Sequence, residues 1–255
     1  SSLTGITEIY KAGGAQAIAA MAYGTETIPR VAKIFGPGNQ YVMKAKELVQ
    51  ADGIAIDMPA GPSEVLVIAD SKADPSFVAS DLLSQAEHGP DSQVVLVTDS
   101  EKLMITVRKE LGTQLGNLPR KSIAGHALLN SISVLLSDLD ECMEFSNLYA
   151  PEHLIINTVN AKALADKVLN AGSVFIGKYS CESAGDYATG TNHTLPTNGF
   201  AKTFSGVSVE SFLKKITFQE ISRKGLENLG KAIKIMAEAE NLTGHSRAVE
   251  ARLKD

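Results

Sequence analysis

A glutamine and a histidine three residues apart are the first candidates for metal binding. Gln85 and His88 lie in the segment SQAEHGP, where a helical pattern ends. Residues three apart share one face of a helix, so the two side chains can bind one ion together. The partial negative charge at a helix carboxyl end favours a cation there. A metal site needs further ligands, and a helix that ends in a capping histidine explains the same pattern.

A glutamate and a histidine stand side by side directly before a predicted strand. In the segment YAPEHL, the adjacent side chains of Glu152 and His153 diverge and can face two sides of a pocket. A histidine with a pKa of about 6.5 next to a carboxylate suits general base catalysis near neutral pH. A solvent-exposed pair at the start of a strand is the alternative interpretation.

Further acids and histidines occur later in the chain. Asp186 and His193 are seven apart in a segment, residues 177–206, that is rich in Gly, Ser, Thr and Asn and too long for an idle connection. Glu240 and His245 lie at a predicted joint between two helices. An Asx turn, a turn histidine and a surface histidine are the alternative interpretations of these residues.

Two glycine turns each precede a predicted helix and leave backbone amides free to bind an anion. One turn opens the helix that carries Gln16, and the other, GPGN, ends with Asn39. Neither turn has the GxGxxG spacing of a dinucleotide fingerprint, and turns from strand to helix need glycine in any case.

These candidates are positioned by a repeated alternation of strands and helices. Short β-rich runs at residues 31–35, 53–56, 65–69, 94–98, 134–136, 154–157 and 174–176 alternate with helical patterns. Parallel strands need such crossover helices. The sequence therefore predicts an α/β fold of parallel sheets covered by helices, followed by a small C-terminal helical extension in which only helical patterns occur.

Composition limits the possible partners and compartments. The 255 residues carry a net charge of −5 with both signs mixed along the chain, so the basic stripe of a nucleic-acid-binding protein is absent. The most apolar run, residues 15–22, is shorter than the roughly 20 residues of a membrane span. Cys142 and Cys181 are far apart and form no metal motif. We therefore predict a protein of the cytoplasm, or of an organelle whose transit peptide is absent, with neither nucleic-acid nor membrane partners. Because the chain opens within an apparent fold, we also expect an upstream segment.

Taken together, seven strings resemble the L-histidinol dehydrogenase family in their order and spacing. These strings are GGAQAIA, FGPGNQYV, DMPAGPSEVL, SQAEHGPDSQ, APEHL, GDYATGTNHTLPT and ENLTGH. The resemblance extends along essentially the whole chain, although family members carry a long region ahead of Gly13. It implies oxidation of L-histidinol to L-histidine through a bound histidinaldehyde, with one Zn²⁺ per site and two NAD.

The same resemblance implies roles for individual residues. It implies zinc coordination by Gln85, His88, Asp186 and His245, the last from the neighbouring subunit of a homodimer with shared active sites. It implies that His153 is the general base and that Glu152 activates water on the aldehyde. The remaining positions that match the family are the substrate-binding Ser63, His193 and Glu240 and the cofactor-binding Gln16 and Asn39.

The resemblance also suggests domain boundaries. Residues 1–62 would form an incomplete cofactor-side Rossmann-like domain, 63–207 a Rossmann-like domain with the metal and catalytic residues, and 208–255 a helical tail that crosses the dimer. Two other functions stay open. A zinc site beside Glu152 also suits a zinc hydrolase, and the short front end suits a non-catalytic truncated paralogue or a fragment.

Overall fold

The computed structural model describes residues 2–59 and 61–254. The chain divides into two compact units, Ser1–Phe212 and Leu213–Asp255. The domain boundaries at residues 62 and 207 stay predictions. Among the described helices, none combines the length and the apolar character needed to cross a membrane.

Strands and helices alternate through the first unit. Its strands are β1 (Lys33–Ile34), β2 (Ala55–Ile56), β3 (Glu64–Ala69), β4 (Gln93–Thr98), β5 (Ile132–Leu135), β6 (His153–Asn157) and β7 (Ser173–Ile176). Its helices are α1 (Gly14–Tyr23), α2 (Gln40–Ala51), α3 (Pro75–Ala86), α4 (Glu101–Asn117), α5 (Lys121–Leu129), α6 (Leu139–Tyr149), α7 (Ala161–Ala165) and α8 (Glu182–Tyr187). Short 3-10 turns cover Ser2–Thr4, Phe200–Lys202 and Val209–Phe212.

The main sheet is parallel throughout, with strand order β5-β4-β3-β6-β7. The chain builds outward from β3 through β4 to β5, and then returns to the other side of β3 with β6 and β7. The order of the strands therefore reverses between β3 and β6, as in doubly wound folds. The predicted α/β class with parallel sheets is confirmed.

Alternate side chains of β3 pack into two cores on opposite faces of this sheet. Val65 and Val67 belong to the cluster formed with α3, α4 and α5, whereas Leu66 and Ile68 pack with α6 and α7. All six residues of β3 are buried, as expected for a central strand with helices on both faces.

Helix α3 starts with a side-chain cap and a proline. Asp74 is the N-cap and accepts a hydrogen bond from the Ser76 amide, and Pro75 occupies the first turn. The helix ends before His88, so it delivers Gln85 and His88 to the end of the sheet at which β3 begins.

A second, two-stranded parallel sheet pairs β1 with β2. Its core includes Ile18 and Ala22 of α1 and Val42 and Val49 of α2. The glycine turn between β1 and α2 lies at the edge of this layer.

The second unit is a helical hairpin of α9 (Arg223–Ala239) and α10 (Thr243–Leu253). A Cβ atom on Gly230 would lie 3.1 Å from Val249 Cγ1, so this glycine lets the two helices approach closely. Lys234 and Glu250 form an ion pair at 2.7 Å across the hairpin. The prediction that only helical patterns follow residue 207 is wrong for residues 213–222, which have no regular structure.

Candidate active site

The first group of candidate residues lies where β3 and β6 begin. The two strands are adjacent and parallel with Val65 opposite His153, so their amino ends are side by side. The Glu64 amide donates to Glu152 Oε2 at 2.8 Å, and His153 Nδ1 lies 3.1 Å from the Glu64 carbonyl oxygen. Residues 89 positions apart thus share one end of the sheet.

A sharp turn leads into β6. Ala150 ends α6 with φ of 58°, in the left-handed region that is costly for a residue other than glycine. Gly172 passes close to the carbonyl oxygen of Glu152, and a Cβ atom there would lie 2.6 Å from this oxygen. The backbone that carries Glu152 is therefore fixed from two sides.

His153 is held in one tautomer. A carbonyl oxygen only accepts, so His153 Nδ1–H donates to Glu64 and Nε2 keeps its lone pair. His153 Nε2 lies 3.9 Å from Asp186 Oδ1. Burial lowers the pKa of His153, although the Glu64 carbonyl and the Asp186 charge act in the opposite direction. The ring is neutral near pH 7 and can accept a proton at Nε2.

Glu152 is buried together with His153, at 6% and 4% exposure respectively, which excludes the solvent-exposed pair. Burial raises the pKa of Glu152 to about 8; the Glu64 amide opposes this rise, and the charges of Glu64 and Asp186 add to it. Such a carboxyl group can exchange protons near neutral pH.

A short helix brings two further carboxylates to this end of the sheet. Residues 182–187 form α8, so the long connection predicted at residues 177–206 contains a helix, and Glu182 and Asp186 lie one turn apart on it. A Cβ atom on Gly185 would lie 2.6 Å from the Phe175 ring. Because this position is glycine, α8 can pack directly against β7.

The side chains of His88, Glu182 and Asp186 form a cluster suited to a metal ion. One potential ligand atom from each lies within 4.8 Å of the others. Zinc accepts nitrogen and oxygen ligands at about 2.0–2.2 Å, so small side-chain adjustments would allow one cation to contact all three. His88 Nδ1–H donates to the Ser84 carbonyl at 3.0 Å, which leaves Nε2 free for a cation. The capping interpretation and the ligand interpretation therefore describe different nitrogens of one ring.

Gln85 is buried beside this cluster. With its amide nitrogen facing Glu182, Gln85 donates to both carboxylate oxygens, at 2.5 and 3.0 Å. The opposite orientation would place oxygen against acceptors and nitrogen against donors. Burial raises the pKa of Glu182 to about 9, and the charges of Asp186, Glu152 and Asp81 contribute further.

A small pocket of about 90 Å³ adjoins Glu152. Ser63, Glu152 and His193 line it together with the glycine turn at residues 36–38. His193 is exposed and Ser63 is half-buried. The structure thus brings two predicted substrate-binding residues to the pocket that contains Glu152.

A buried ion pair fixes that glycine turn. Lys46 and Asp57 form an ion pair in which both side chains are almost fully buried. Asp57 Oδ2 accepts from the Gly36 amide at 2.8 Å, and Lys46 Nζ donates to the Gly36 carbonyl at 3.0 Å. Both polar groups of Gly36 are therefore bound.

The predicted cofactor-binding residues are at the starts of helices α1 and α2 and do not line the pocket at Glu152. Gln16 is exposed in the first turn of α1. Asn39 caps α2 by accepting from the amides of Tyr41 and Val42 and lines the next pocket along the surface. In the second unit, Glu240 follows α9 and His245 lies in the first turn of α10, and both are exposed.

Sequence reasoning missed Glu64 and Glu182. Glu64 Oε1 accepts from the Asn198 amide at 2.9 Å, whereas Oε2 has no hydrogen-bond partner in the described part of the chain. Burial raises the pKa of Glu64. The sequence offered two signals. One is an acid directly before an apolar run, and the other is an acid four residues before Asp186.

Comparisons with known proteins find one family along nearly the whole chain. The family model described as histidinol dehydrogenase matches residues 1–253. The histidinol dehydrogenase of Bacteroides thetaiotaomicron is 60% identical over 253 residues, which cover 99% of this chain and 59% of that protein. The chloroplastic histidinol dehydrogenase of Arabidopsis thaliana is 57% identical, with 98% of this chain and 54% of that protein covered.

A solved structure gives the same result. The crystal structure of histidinol dehydrogenase from Elizabethkingia anophelis matches with a TM-score of 0.97 and 61% identity, covering 99% of this chain and 58% of that one. This chain spans somewhat more than half the length of these relatives. On the family match and these identities, the chain belongs to the histidinol dehydrogenase family.

Proposed function

We propose that the protein oxidises L-histidinol to L-histidine in histidine biosynthesis, through a bound histidinaldehyde, with zinc and two NAD. One observation carries the proposal. A buried neutral imidazole, His153, has its free Nε2 3.9 Å from Asp186, which belongs to a cluster able to hold a cation. A proton acceptor thus lies beside a place where a metal can hold the substrate.

The nitrogen and oxygen atoms of these side chains fit zinc, which is usually four-coordinate. We propose that Gln85, His88 and Asp186 hold the ion and that His245 of a second subunit completes the set in a homodimer with shared active sites. Zinc would supply a fixed positive charge that orients the substrate, and NAD would supply the hydride acceptor for both oxidations.

His153 removes the proton in each oxidation. Its Nε2 accepts the hydroxyl proton as the alcohol carbon is oxidised, while the Glu64 carbonyl holds Nδ1–H in place. Between the oxidations, Glu152 takes a proton from the water that adds to the aldehyde. With a pKa of about 8, Glu152 is mainly protonated at neutral pH, and its ionised form is the one that accepts this proton.

The pocket residues have binding roles in this scheme. Ser63 and His193 line the pocket beside Glu152, and we assign both to substrate binding, together with Glu240. Gln16 and Asn39 are assigned to NAD. A cytoplasmic location and the absence of nucleic-acid and membrane partners stay predictions.

Mixing the protein with histidinol, NAD and zinc tests the activity. Formation of reduced NAD, followed by its absorbance, supports the proposal, and two reduced NAD per histidinol support both oxidations. Zinc binding without reduced NAD would favour the hydrolase. If the protein neither binds zinc nor forms reduced NAD, the result would favour the non-catalytic paralogue or fragment.

Sharing of sites between subunits has its own test. His153→Asn and His245→Asn proteins are each expected to be inactive, and reassembling the two together should restore part of the activity. If sites are shared, a mixed dimer has one site that contains neither substitution. No regained activity in a mixture shown to contain mixed dimers would contradict sharing.

A further inference from the structure

The side chain of Glu64 is buried, but the proposed mechanism uses only the backbone of this residue. Its amide donates to Glu152 Oε2 and its carbonyl oxygen accepts from His153 Nδ1. Any residue could supply these two backbone contacts. A carboxyl group that is 6% exposed, at the start of an otherwise apolar strand, is costly to bury. The side chain therefore needs a function of its own.

The Glu64 carboxyl group holds a strained turn of a distant segment. Its Oε1 accepts from the amide of Asn198, which lies 134 residues further along the chain, at 2.9 Å. Asn198 has φ of 55°, in the left-handed region that is costly for a residue other than glycine. Such a conformation persists only where the surrounding contacts fix it. Glu64 supplies one of these contacts.

A second hydrogen bond fixes the same turn at the preceding residue. Thr197 Oγ1 accepts from the amide of Gly61, and Thr197 is 2% exposed. Together with the bond at Glu64, it joins residues 61–64 to residues 193–198, which we call the wall segment. Each of the two stretches donates one hydrogen bond and accepts one.

The two joined stretches form part of the pocket at Glu152. Ser63 lines this pocket from the first stretch, and the wall segment contributes His193, Leu195 and Thr197. The two predicted substrate-binding residues of the pocket, Ser63 and His193, are thus brought together by this joint. Movement of the wall segment away from Ser63 would open the pocket and displace His193.

We propose that Glu64 is a positioning residue, whose carboxyl group keeps the wall segment in place so that Ser63 and His193 can contact one substrate molecule. The proposal rests on the substrate-binding roles in the proposed function. It divides the work of Glu64, since the backbone holds Glu152 and His153 and the side chain holds the wall of the pocket. Loss of the side chain should therefore weaken substrate binding more than it slows the chemical steps.

Histidinol binding to the zinc-loaded protein, measured by calorimetry without NAD, tests this division. A hydrogen bond to a charged group can shift an equilibrium by about 10- to 100-fold, and we expect Glu64→Ala to bind histidinol about 10-fold more weakly. Its kcat should stay within about 3-fold, because the backbone contacts to Glu152 and His153 remain. Glu64→Gln keeps an acceptor oxygen for the Asn198 amide and should recover most of the affinity.

Hydrogen exchange of backbone amides follows the wall segment without any need for activity. Amides of the wall segment should exchange about 10-fold faster in Glu64→Ala than in the wild type, whereas those of β3 should not change. Thr197→Val removes the other hydrogen bond of the joint and should show the same two effects, weaker histidinol binding and faster exchange. If Glu64→Ala does not fold, Thr197→Val decides.

Asp70→Ala is the matched control. Asp70 directly follows β3, whereas Glu64 begins it, and its carboxylate likewise accepts from backbone amides of two loops, at Lys72 and Val159. The substitution removes a comparable contact at the opposite end of the same strand. Histidinol affinity and exchange of the wall segment should both stay within about 2-fold of the wild type.

Four results would overturn the positioning role. Wild-type histidinol affinity in folded Glu64→Ala would show that the wall segment needs no such contact. An equal loss of affinity in Asp70→Ala would show a general effect of stability. A kcat that falls more than the affinity would assign the side chain to the chemical steps. A wild-type protein that binds no histidinol would overturn the proposed function and the positioning of substrate with it, while faster exchange in Glu64→Ala would still support the joint itself.

Discussion

The two ends of the five-stranded sheet differ in how their polar groups are used. At the carboxyl end, where the strand order reverses between β3 and β6, an open cleft of about 700 Å³ is lined by Asp70 and by exposed lysines such as Lys72 and Lys162. At the amino end, buried acids surround His153, and the adjoining pocket is only about 90 Å³.

Hydrogen bonding explains the difference. Asp70 accepts from the amides of Lys72 and Val159 at 2.9 and 2.7 Å, so its carboxylate is used to hold two loops. At the amino end, Glu64 keeps one oxygen without a partner in the described part of the chain, and His153 Nε2 is free. Ligands of doubly wound sheets usually bind at the carboxyl ends of the strands. Here the groups available for chemistry are at the other end, so the proposed site lies beside the small pocket and not in the large cleft.

The largest expected effect separates the two ends by activity. His153→Asn removes the proton acceptor and should lower the turnover of histidinol by roughly 10²- to 10⁴-fold. Lys162→Ala, in the cleft at the carboxyl end, is the control and should leave turnover within about 2-fold. Near-normal turnover in His153→Asn would remove this residue from the proposed mechanism.

Glu152→Gln tests whether Glu152 and His153, both at the amino end, have different roles. Its amide cannot take a proton from water, so oxidation of supplied histidinaldehyde should slow by about 10- to 10³-fold, more than oxidation of the alcohol. Reduced NAD formed from each substrate in separate single-turnover experiments measures the two rates. Equal losses in both would contradict a specific role in the aldehyde step.

Sequence reasoning located the strands because burial on both faces leaves a direct signal. β3 was predicted at residues 65–69 and is observed at Glu64–Ala69, and β6 was predicted at residues 154–157 and is observed at His153–Asn157. Continuous apolar runs bounded by turns allow few other interpretations. Asp74 as the cap of α3 was equally readable, because capping depends on neighbours in sequence.

The burial and contacts of the site residues could not be predicted from the sequence in the same way. The hydrogen bond between Glu64 and Glu152 depends on the register between two strands whose paired residues are 88 positions apart in the sequence. Likewise, Gly185 permits the approach of α8 to Phe175, and this approach buries Glu182. Single acids carry no sign of burial in the sequence, since most are exposed.

Asp70→Ala should separate stability from activity at the carboxyl end. Loss of both accepted hydrogen bonds leaves the Lys72 and Val159 amides without this partner and should lower the free energy of unfolding by about 1–3 kcal/mol. Urea unfolding measures this change, and Asp70→Asn, which keeps one acceptor oxygen, should lose less. Turnover of the folded variant should stay near that of the wild type. A loss of turnover comparable to that of Glu152→Gln would mean that the carboxyl end takes part in the chemistry.

The smallest expected effect on turnover concerns Asp81, a buried acid of the amino end that the proposed mechanism does not use. Burial raises the pKa of Asp81 from 3.8 to about 7. Between these pH values the folded protein keeps a proton that the unfolded chain has lost, so this contribution to stability is complete below pH 3.8 and is lost as the pH rises to about 7. Asp81→Asn should therefore gain stability relative to the wild type over that range, by about 4 kcal/mol at pH 8, because a shift of about 3 pKa units contributes about 1.4 kcal/mol per unit. Urea unfolding at pH 5, 6.5 and 8 measures the difference in stability between variant and wild type. For the control Asp166→Asn, at an exposed position, this difference should be the same at all three pH values. A difference independent of pH would show that Asp81 is ionised in the folded protein, and that buried acids at this end of the sheet are stabilised as charges by their surroundings.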